Sequence, residues 1–421
     1  MSAKVTRIAL LGAKLSMNLG GPSLLVATKK ALDPAFPNAE YTLFVPWRSY
    51  ESDLRLSPKY GVDVVPLHVT RKTLASLLWR RCTGVWIGGS PANSMVRALE
   101  QSDIIVDIWG ILFADTLGSN RFRSRLREGL RFVAGKLLGK PVVKYTADLG
   151  PFQHTWNRFF AKLYLGHFVD LIFVRSGASR QYVEQLGIKT PLETVPDTAF
   201  LLPCDEGTES ERYAALRRRS GLVGVSVSYQ VRNRAADDDT YLGTMVKLIT
   251  HSVKKYGTHV VLIPNELSES TNDDRRIAEE ICARVAHAHC DVLHTNVLTA
   301  QEIKGVIKQC DVVVASRYHT IVAALSLAVP TLAIGWHHKY QEVLRLFQQE
   351  HRACAIQNLT LEGIIEHFED LWENRQQISE KIAQRLPSIR DQILAGARKL
   401  QPYVPAKTPG ESDVGVAAAK N

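Results

Sequence analysis

Cysteine is scarce in this 421-residue sequence. There are six, Cys82, Cys204, Cys282, Cys290, Cys310 and Cys354, and no two form a Cys-x-x-Cys pair. A disulfide scaffold is thereby excluded, and a cysteine zinc site or redox pair has no support. Reduced, mostly buried thiols are the expectation. The 27 glycines follow no collagen-like period. GxGxxG and Walker loops are absent, so neither a dinucleotide site nor a P-loop is read. HExxH and paired-aspartate patterns are absent too, so no metal site is expected. Long apolar runs are also missing. The longest, Ile321 to Trp336, contains Ser326 and Pro330 and falls short of the roughly 20 residues of a spanning helix. Residues 1–7 lead straight into Ile8–Gly12 with no small-residue cleavage site behind an apolar stretch, so no secretory signal is read. A cytoplasmic location is the expectation.

Acid is the scarcer charge, with 42 Asp and Glu against 52 Lys and Arg, a net charge of +10. That surplus favours an anionic partner: nucleic acid, acidic lipid or a phosphorylated small molecule. Basic runs such as Arg80-Arg81 and Arg217-Arg218-Arg219 read as solvated faces. No stretch interleaves aromatics with basic residues as a nucleic-acid stripe would, so no nucleic acid is expected.

What is present is ordinary globular material, 45% hydrophobic and 22% charged, with the length of two or three domains and two as the default. Short apolar runs read as strands at Ile8–Gly12, Tyr41–Pro46, Val62–Leu67, Asp103–Trp109, Pro141–Thr146, Leu171–Arg175 and Leu192–Pro196. Helical patterns lie between them, among them Phe122–Leu138, Trp156–His167 and Ser179–Leu186. Near-continuous apolar strands alternating with helices indicate a parallel sheet covered on both faces. A polar, turn-rich stretch follows, and a second series begins, with strands at Leu222–Ser228, His259–Pro264, Asp291–Thr295, Asp311–Ser316 and Thr331–Gly335. The expected class is α/β, two doubly wound Rossmann-like domains facing a cleft. The division is a first domain over 1–203, a linker over 204–212, a second domain over 213–358, a helical segment over 359–400 interrupted by Pro387, and a disordered tail over 401–421. In such sheets ligands sit beyond the carboxyl ends of strands.

The densest constellation is Ser316-Arg317-Tyr318-His319, at the end of one strand and the start of a helix, followed by His337-His338-Lys339 after the next strand. A helix start offers free N–H groups and partial positive charge, and Arg317 adds a planar fork suited to carboxylate or phosphate. An anion site is inferred. The plain alternative is that Arg317 pairs a carboxylate and His319 bonds locally. The loop Ser16–Ser23 holds Asn18, Gly20 and Gly21 between the first strand and a helix, either as a substrate-contacting turn or as a plain tight turn. Three weaker spots follow strands. Asp148 to His154 either lines the cleft or is a simple loop. Arg175 either reaches the cleft or binds a neighbouring carboxylate. Asp197 reads as a cap rather than a catalytic group.

With these residues in order, the chain resembles the polysaccharide pyruvyl transferase family. The matching points are Asn18-Leu-Gly-Gly, Gly150-Pro-Phe, Asp170 through Ser179, Pro196-Asp197-Thr-Ala-Phe200, and above all Asp311 through Lys339, together covering roughly residues 8–345. The resemblance implies a two-domain GT-B-like fold, with the first domain on the acceptor side and the second on the donor side. It implies an enzyme that moves pyruvate from phosphoenolpyruvate onto a sugar hydroxyl pair as a ketal, in surface or extracellular polysaccharide biosynthesis. The family's Arg-x-His donor motif maps onto Arg317 and His319. The early loop departs from the pattern: many members carry Asp where Gly21 stands.

On that resemblance His319 is the candidate general acid, since imidazole titrates near neutral pH. Arg317 would hold the donor's phosphate or carboxylate, and Arg175 and Lys339 the other charge. Ser316, His337, Asn18, Gly20 and Gly21 are further expected substrate contacts. His154, Asp148 and His337 are the candidates for the base. No step obliges a metal or cofactor beyond phosphoenolpyruvate as co-substrate. The acceptor is expected to be a sugar or lipid-linked oligosaccharide. Positive charge would suit peripheral contact with the inner face of a membrane. Two rivals stand beside this reading: a GT-B glycosyltransferase with a nucleotide-sugar donor, and a non-catalytic carbohydrate-binding relative.

Overall fold

The computed structural model describes residues 5–16, 20–115, 122–235, 238–267, 273–285, 288–295, 297–336 and 338–405. Among these, fourteen strands form two sheets. The first contains β1 (Thr6–Leu11), β2 (Ala39–Pro46), β3 (Asp63–Leu67), β4 (Ile104–Asp107), β5 (Ile111–Leu112), β6 (Val142–Leu149), β7 (Leu171–Val174) and β8 (Leu192–Thr194). Their order is β3-β2-β1-β4-β6-β7-β8, with β5 paired beside β6. The second contains β9 (Leu222–Ser226), β10 (His259–Leu262), β11 (Cys290–Val292), β12 (Val312–Ala315), β13 (Thr331–Gly335) and β14 (Ala353–Ala355), ordered β11-β10-β9-β12-β13-β14. Every paired strand runs parallel.

This arrangement follows from the residues. Parallel strands joined through helices are covered on both faces, so each must be apolar throughout. β4, β7, β9, β10, β12 and β13 are buried at every position. Two fully buried charges interrupt the apolar rule. Lys144 on β6 donates to Asp107 of β4 at 2.6 Å and to the Trp109 carbonyl at 2.6 Å. Arg131 reaches the same carboxylate at 2.5 Å. Burial lowers the Lys144 ammonium to about 8, with Asp107 opposing the shift.

In both sheets the strand order reverses beside the first strand, between β1 and β4 and between β9 and β12. These are the switch points where the carboxyl ends of strands leave a crevice. At the first, Gly12 has φ +94° and lies so close to Trp109 that a Cβ would sit 2.6 Å from its backbone nitrogen. Only glycine accommodates both demands.

The structure departs from the sequence reading at several points. The expected linker over 204–212 ends early, because the helix Thr208–Ser220 begins inside it, with Glu209 and Glu211 in its first turn where acid is favoured. Strands β5 and β14, two and three residues long, carry too short a pattern to be seen in sequence. Pro387 does not interrupt the helix Arg375–Arg398. That helix returns to the first domain. Gly396 packs on Val195, Lys399 pairs with Glu193 at 2.7 Å, and Gln401 donates to the Ala35 carbonyl. Of the tail expected over 401–421, Gln401–Tyr403 forms a short 3-10 turn, and residues 406–421 lie outside the described residues. Of the thiols expected to be mostly buried, Cys82 is exposed.

Candidate functional site

At the carboxyl end of β12 the chain passes through Ser316 and Arg317 into the helix Tyr318–Ser326. Tyr318 is buried, and its ring is the centre of a cluster drawn from both domains. The Arg175 guanidinium, from the end of β7, lies 4.2 Å from the ring centroid. The Lys339 ammonium, from the first turn after β13, lies 5.4 Å from the same ring and 5.3 Å from that of Tyr340. The Tyr318 hydroxyl meets Asp197. His319 sets its ring edge-on to Tyr318 at 5.7 Å, and His338 sets its own against Tyr182 of the first domain at 5.9 Å.

Arg175 is held by two buried carboxylates. Its Nε donates to Asp148 Oδ2 at 2.8 Å, and its Nη1 pairs with Asp197. Burial opposes its charge, but Asp148 leads the groups that more than restore it, and the guanidinium stays protonated above its ordinary range. Ser176 and Ser179 donate to the other Asp148 oxygen at 3.2 and 3.5 Å. Asp197 also accepts the Ala199 backbone N–H at 2.8 Å, so it is the cap read from sequence and a cross-link besides. Beside Arg175 and Ser176 a cavity of about 570 Å³ opens toward Glu342, Arg345 and Arg385.

Two groups in this cluster have weakened proton affinity. His319 is half-buried, yet its Nε2 is enclosed and has no hydrogen-bond partner. Burial lowers the imidazole to about 4, Asp197 pulls the other way, and the cations of Arg175, Lys339 and Arg317 push it down further. Burial likewise brings Lys339 to about 8, with Arg175 adding to the shift and Asp148 opposing it. An uncharged imidazole and a destabilised ammonium beside a fixed guanidinium form an environment that an anion would relieve.

Arg317 is differently engaged. Its two terminal nitrogens donate to Glu266 and Asp274, each at 2.6 Å, and the side chain is half-buried. This is the carboxylate pairing that the sequence reading weighed as its alternative. Ser316, expected to touch substrate, is buried instead. Its hydroxyl accepts from Tyr241 at 2.7 Å and its carbonyl from Tyr340 at 3.2 Å, so it braces the strand end. Gly20 and Gly21 open the helix Gly20–Leu32. A Cβ on Gly21 would lie 2.0 Å from the Lys14 carbonyl oxygen, so the chain's own packing requires its bareness. His154 sits exposed just before the helix Thr155–His167. Its backbone N–H faces Asp115, and among the described residues its ring joins none of the groups around Tyr318. Asn18 and His337 lie outside the described residues. No group of three or more metal-ligating side chains is assembled among the described residues.

A model of the polysaccharide pyruvyl transferase family matches residues 18–338. The chain belongs to that family. Members of the polysaccharide pyruvyl transferase family are transferases of polysaccharide biosynthesis. The amylovoran biosynthesis protein AmsJ of Erwinia amylovora is 22% identical over 303 residues, 69% of this chain and 71% of AmsJ. Among solved structures, Anabaena HepE in complex with UDP and glucose superposes with a TM-score of 0.58 at 13% identity, covering 94% of this chain and 97% of HepE. The S. aureus MnaA complex with UDP gives 0.59 at 12% identity, covering 93% and 94%. At such identities the likeness establishes the fold, and that fold is the two-domain GT-B arrangement expected of the family. No helix among the described residues is long and apolar enough to cross a membrane.

Sequence reasoning passed over Tyr318 as the hub of this cluster, although it stands between Arg317 and His319. It also missed Glu266 and Asp274, which lie more than 40 residues upstream of Arg317 and give no local signal. Arg234 was missed as well. It stacks 3.9 Å over Trp336 and adds to the positive field that lowers Lys339.

Proposed function

We propose that this protein transfers the pyruvyl group of phosphoenolpyruvate to two hydroxyls of a sugar as a ketal, with release of phosphate, in the making of a surface or extracellular polysaccharide. The acceptor is a sugar or a lipid-linked oligosaccharide. The observation that carries this reading is the grouping of His319, Lys339 and Arg175 around Tyr318 at the domain junction, in a chain of the pyruvyl transferase family. Phosphoenolpyruvate brings a carboxylate and a phosphate, together between about two and three negative charges. Those charges would raise the proton affinity of Lys339 and His319 toward neutrality and beyond.

The reaction then runs as follows. A proton added to the methylene carbon makes it a methyl group and leaves the adjacent carbon electrophilic. One sugar oxygen bonds to that carbon, the carbon–oxygen bond to phosphate breaks, and the second sugar oxygen closes the ketal. Of the two hydroxyl protons lost, one balances the proton taken by the methyl group and the other leaves with phosphate. His319 Nε2 is the donor of the first proton, protonated only once the anion is in place. Lys339 neutralises the donor's charge. Arg175 keeps Tyr318 and Asp197 in position and adds its field. Arg317, already between two carboxylates, reaches the donor only by exchanging one of them for it. No cofactor enters this sequence.

The nucleotide-sugar reading draws support from Glu266 and Asp274, which supply acids beside Arg317 that the stretch from Val312 to Gly335 lacks. Calorimetric titration separates the two. Heat on adding phosphoenolpyruvate, and phosphate release once a sugar acceptor is present, support pyruvyl transfer. Binding of a UDP-sugar with none of phosphoenolpyruvate overturns it.

A further inference from the structure

Three helices lie side by side on one face of the first sheet: Arg71–Thr83, Phe122–Leu137 and Thr155–His167, the first packed on the second and the second on the third. Their inner sides join the core with Leu77, Phe132 and Phe160. Their outer sides, with the loop after Thr83, are unusual in two respects.

The first is apolar exposure. Twelve large apolar side chains are exposed among the described residues, and seven are on this layer, including Trp79, Ile87, Phe122, Trp156 and Phe159. Phe122 and Trp156 pack edge to face at 5.2 Å, and Trp156 and Phe159 at 6.2 Å, so the aromatics form a ridge instead of isolated points. On the helix Thr155–His167, Trp156 and Phe159 are three residues apart and share one face, flanked by the exposed Arg158 and Lys162. The second is charge. The three helices contain eleven Lys or Arg and one acid, Glu128. Part of that surplus of ten is met by acids outside the helices, Arg80 pairing with Glu100 and Lys136 with Asp170. Arg125 and Arg131 turn inward to the Ala114 carbonyl and Asp107. Arg71, Lys72, Arg81, Arg127, Arg158 and Lys162 are exposed.

We infer that this helical layer is a docking surface for an anionic lipid bilayer. Tryptophan and phenylalanine set in a ring of arginine and lysine suit the boundary between headgroups and acyl chains, where the rings are half immersed and the cations meet phosphate. A second copy of the chain is disfavoured as the occupant, since two such faces carry the same charge. A nucleic acid would want a groove with rings free to stack, whereas here Phe122, Trp156 and Phe159 pack edge to face on one another and Leu78, Val85 and Ile87 add aliphatic surface. Phe122 and Trp156 occupy the first turns of their helices, at the carboxyl edge of the sheet. Trp79 and Arg81, near the end of their helix, lie toward the opposite edge, beside the last turn of Phe122–Leu137, so the bilayer would lie along the whole layer. This inference does not depend on the identity of the transferred group.

Flotation of the full chain with vesicles tests it. Vesicles of phosphatidylcholine with an equal share of phosphatidylglycerol should carry the protein at low salt, and vesicles of phosphatidylcholine alone should not. Trp156→Ala with Phe159→Ala should weaken binding about tenfold or more, and Arg158→Glu with Lys162→Glu by a similar factor. All four sites are exposed, so thermal unfolding by circular dichroism should stay unchanged. Lys247→Glu with Lys254→Glu, on the second domain, should leave binding as it was. Equal loss from that pair would mean that diffuse charge alone is at work, and the docking face would be refuted. So would absence of binding to the anionic vesicles, retention of a single-stranded RNA oligonucleotide in their place, or a dimer by light scattering that Trp156→Ala with Phe159→Ala abolishes.

Discussion

Two strand-end arginines, one from each domain, make an instructive pair. Arg175 follows β7 and Arg317 follows β12, and each places its guanidinium between two carboxylates. Arg175 is sealed, and through Tyr318 it joins the domains. Arg317 is more open, and both its partners belong to its own domain. Around Arg175 stand Lys339 and His319, whose charged forms burial disfavours. Around Arg317 the two carboxylates already outnumber the cation. A cation that is compensated holds structure, whereas one whose charge is suppressed gains most from an arriving anion. By that measure the proposed ligand chemistry belongs around Tyr318, with the Arg317 clamp in support.

The sharpest way to break this contrast is His319→Ala. Phosphate release from phosphoenolpyruvate with acceptor should fall by about 10² or more, the usual share of a general acid. An unchanged rate takes His319 out of the mechanism. Next comes stability. Arg175→Ala leaves Asp148 and Asp197 buried without their cation and should cost about 3–5 kcal/mol in urea unfolding. Arg317→Ala should cost less, about 1–3 kcal/mol, because Asp274 keeps the backbone N–H groups of Tyr229 and Glu266 at 3.0 and 2.9 Å. Equal losses would erase the distinction between the two arginines.

A pH series sharpens the picture further. The Lys339 ammonium sits near 8 in the free protein, and a bound anion raises it, so binding takes up a proton where Lys339 is neutral. Affinity for phosphoenolpyruvate should thus be flat below about pH 8 as far as Lys339 is concerned, and should fall above it by up to about tenfold per pH unit. Lys339→Met should abolish that slope, which calorimetry in two buffers of different ionisation enthalpy would register as loss of proton uptake. The smallest effect belongs to Ser316→Ala, with about 1 kcal/mol of stability lost from the Tyr241 hydrogen bond and turnover changed little. A large fall in turnover without loss of stability would return Ser316 to the ligand.

Much of the fold was legible because parallel strands buried on both faces leave a plain trace, an apolar run such as Val312–Ala315 bounded by turn residues. What escaped were elements too short for a pattern, β5 and β14, and a proline tolerated inside a long helix. The site was half legible. Ser316-Arg317-Tyr318-His319 and Lys339 stand in one stretch, and Arg175 could be placed at a strand end. The sealing of Ser316, the exposure of His154 and the capture of Arg317 by Glu266 and Asp274 could not be read. Each depends on which side chains lie across a sheet edge from one another.

The order of residues along the chain thus determined the two parallel sheets, the strand ends that face the crevice, and the excess of positive charge, since these rest on periodicity and composition. Only the tertiary structure decided which cations are compensated and which are poised, and that six exposed cations share one aromatic-studded layer. Burial and carboxylate pairing arise between segments far apart in sequence, and both charge state and exposure are set by them.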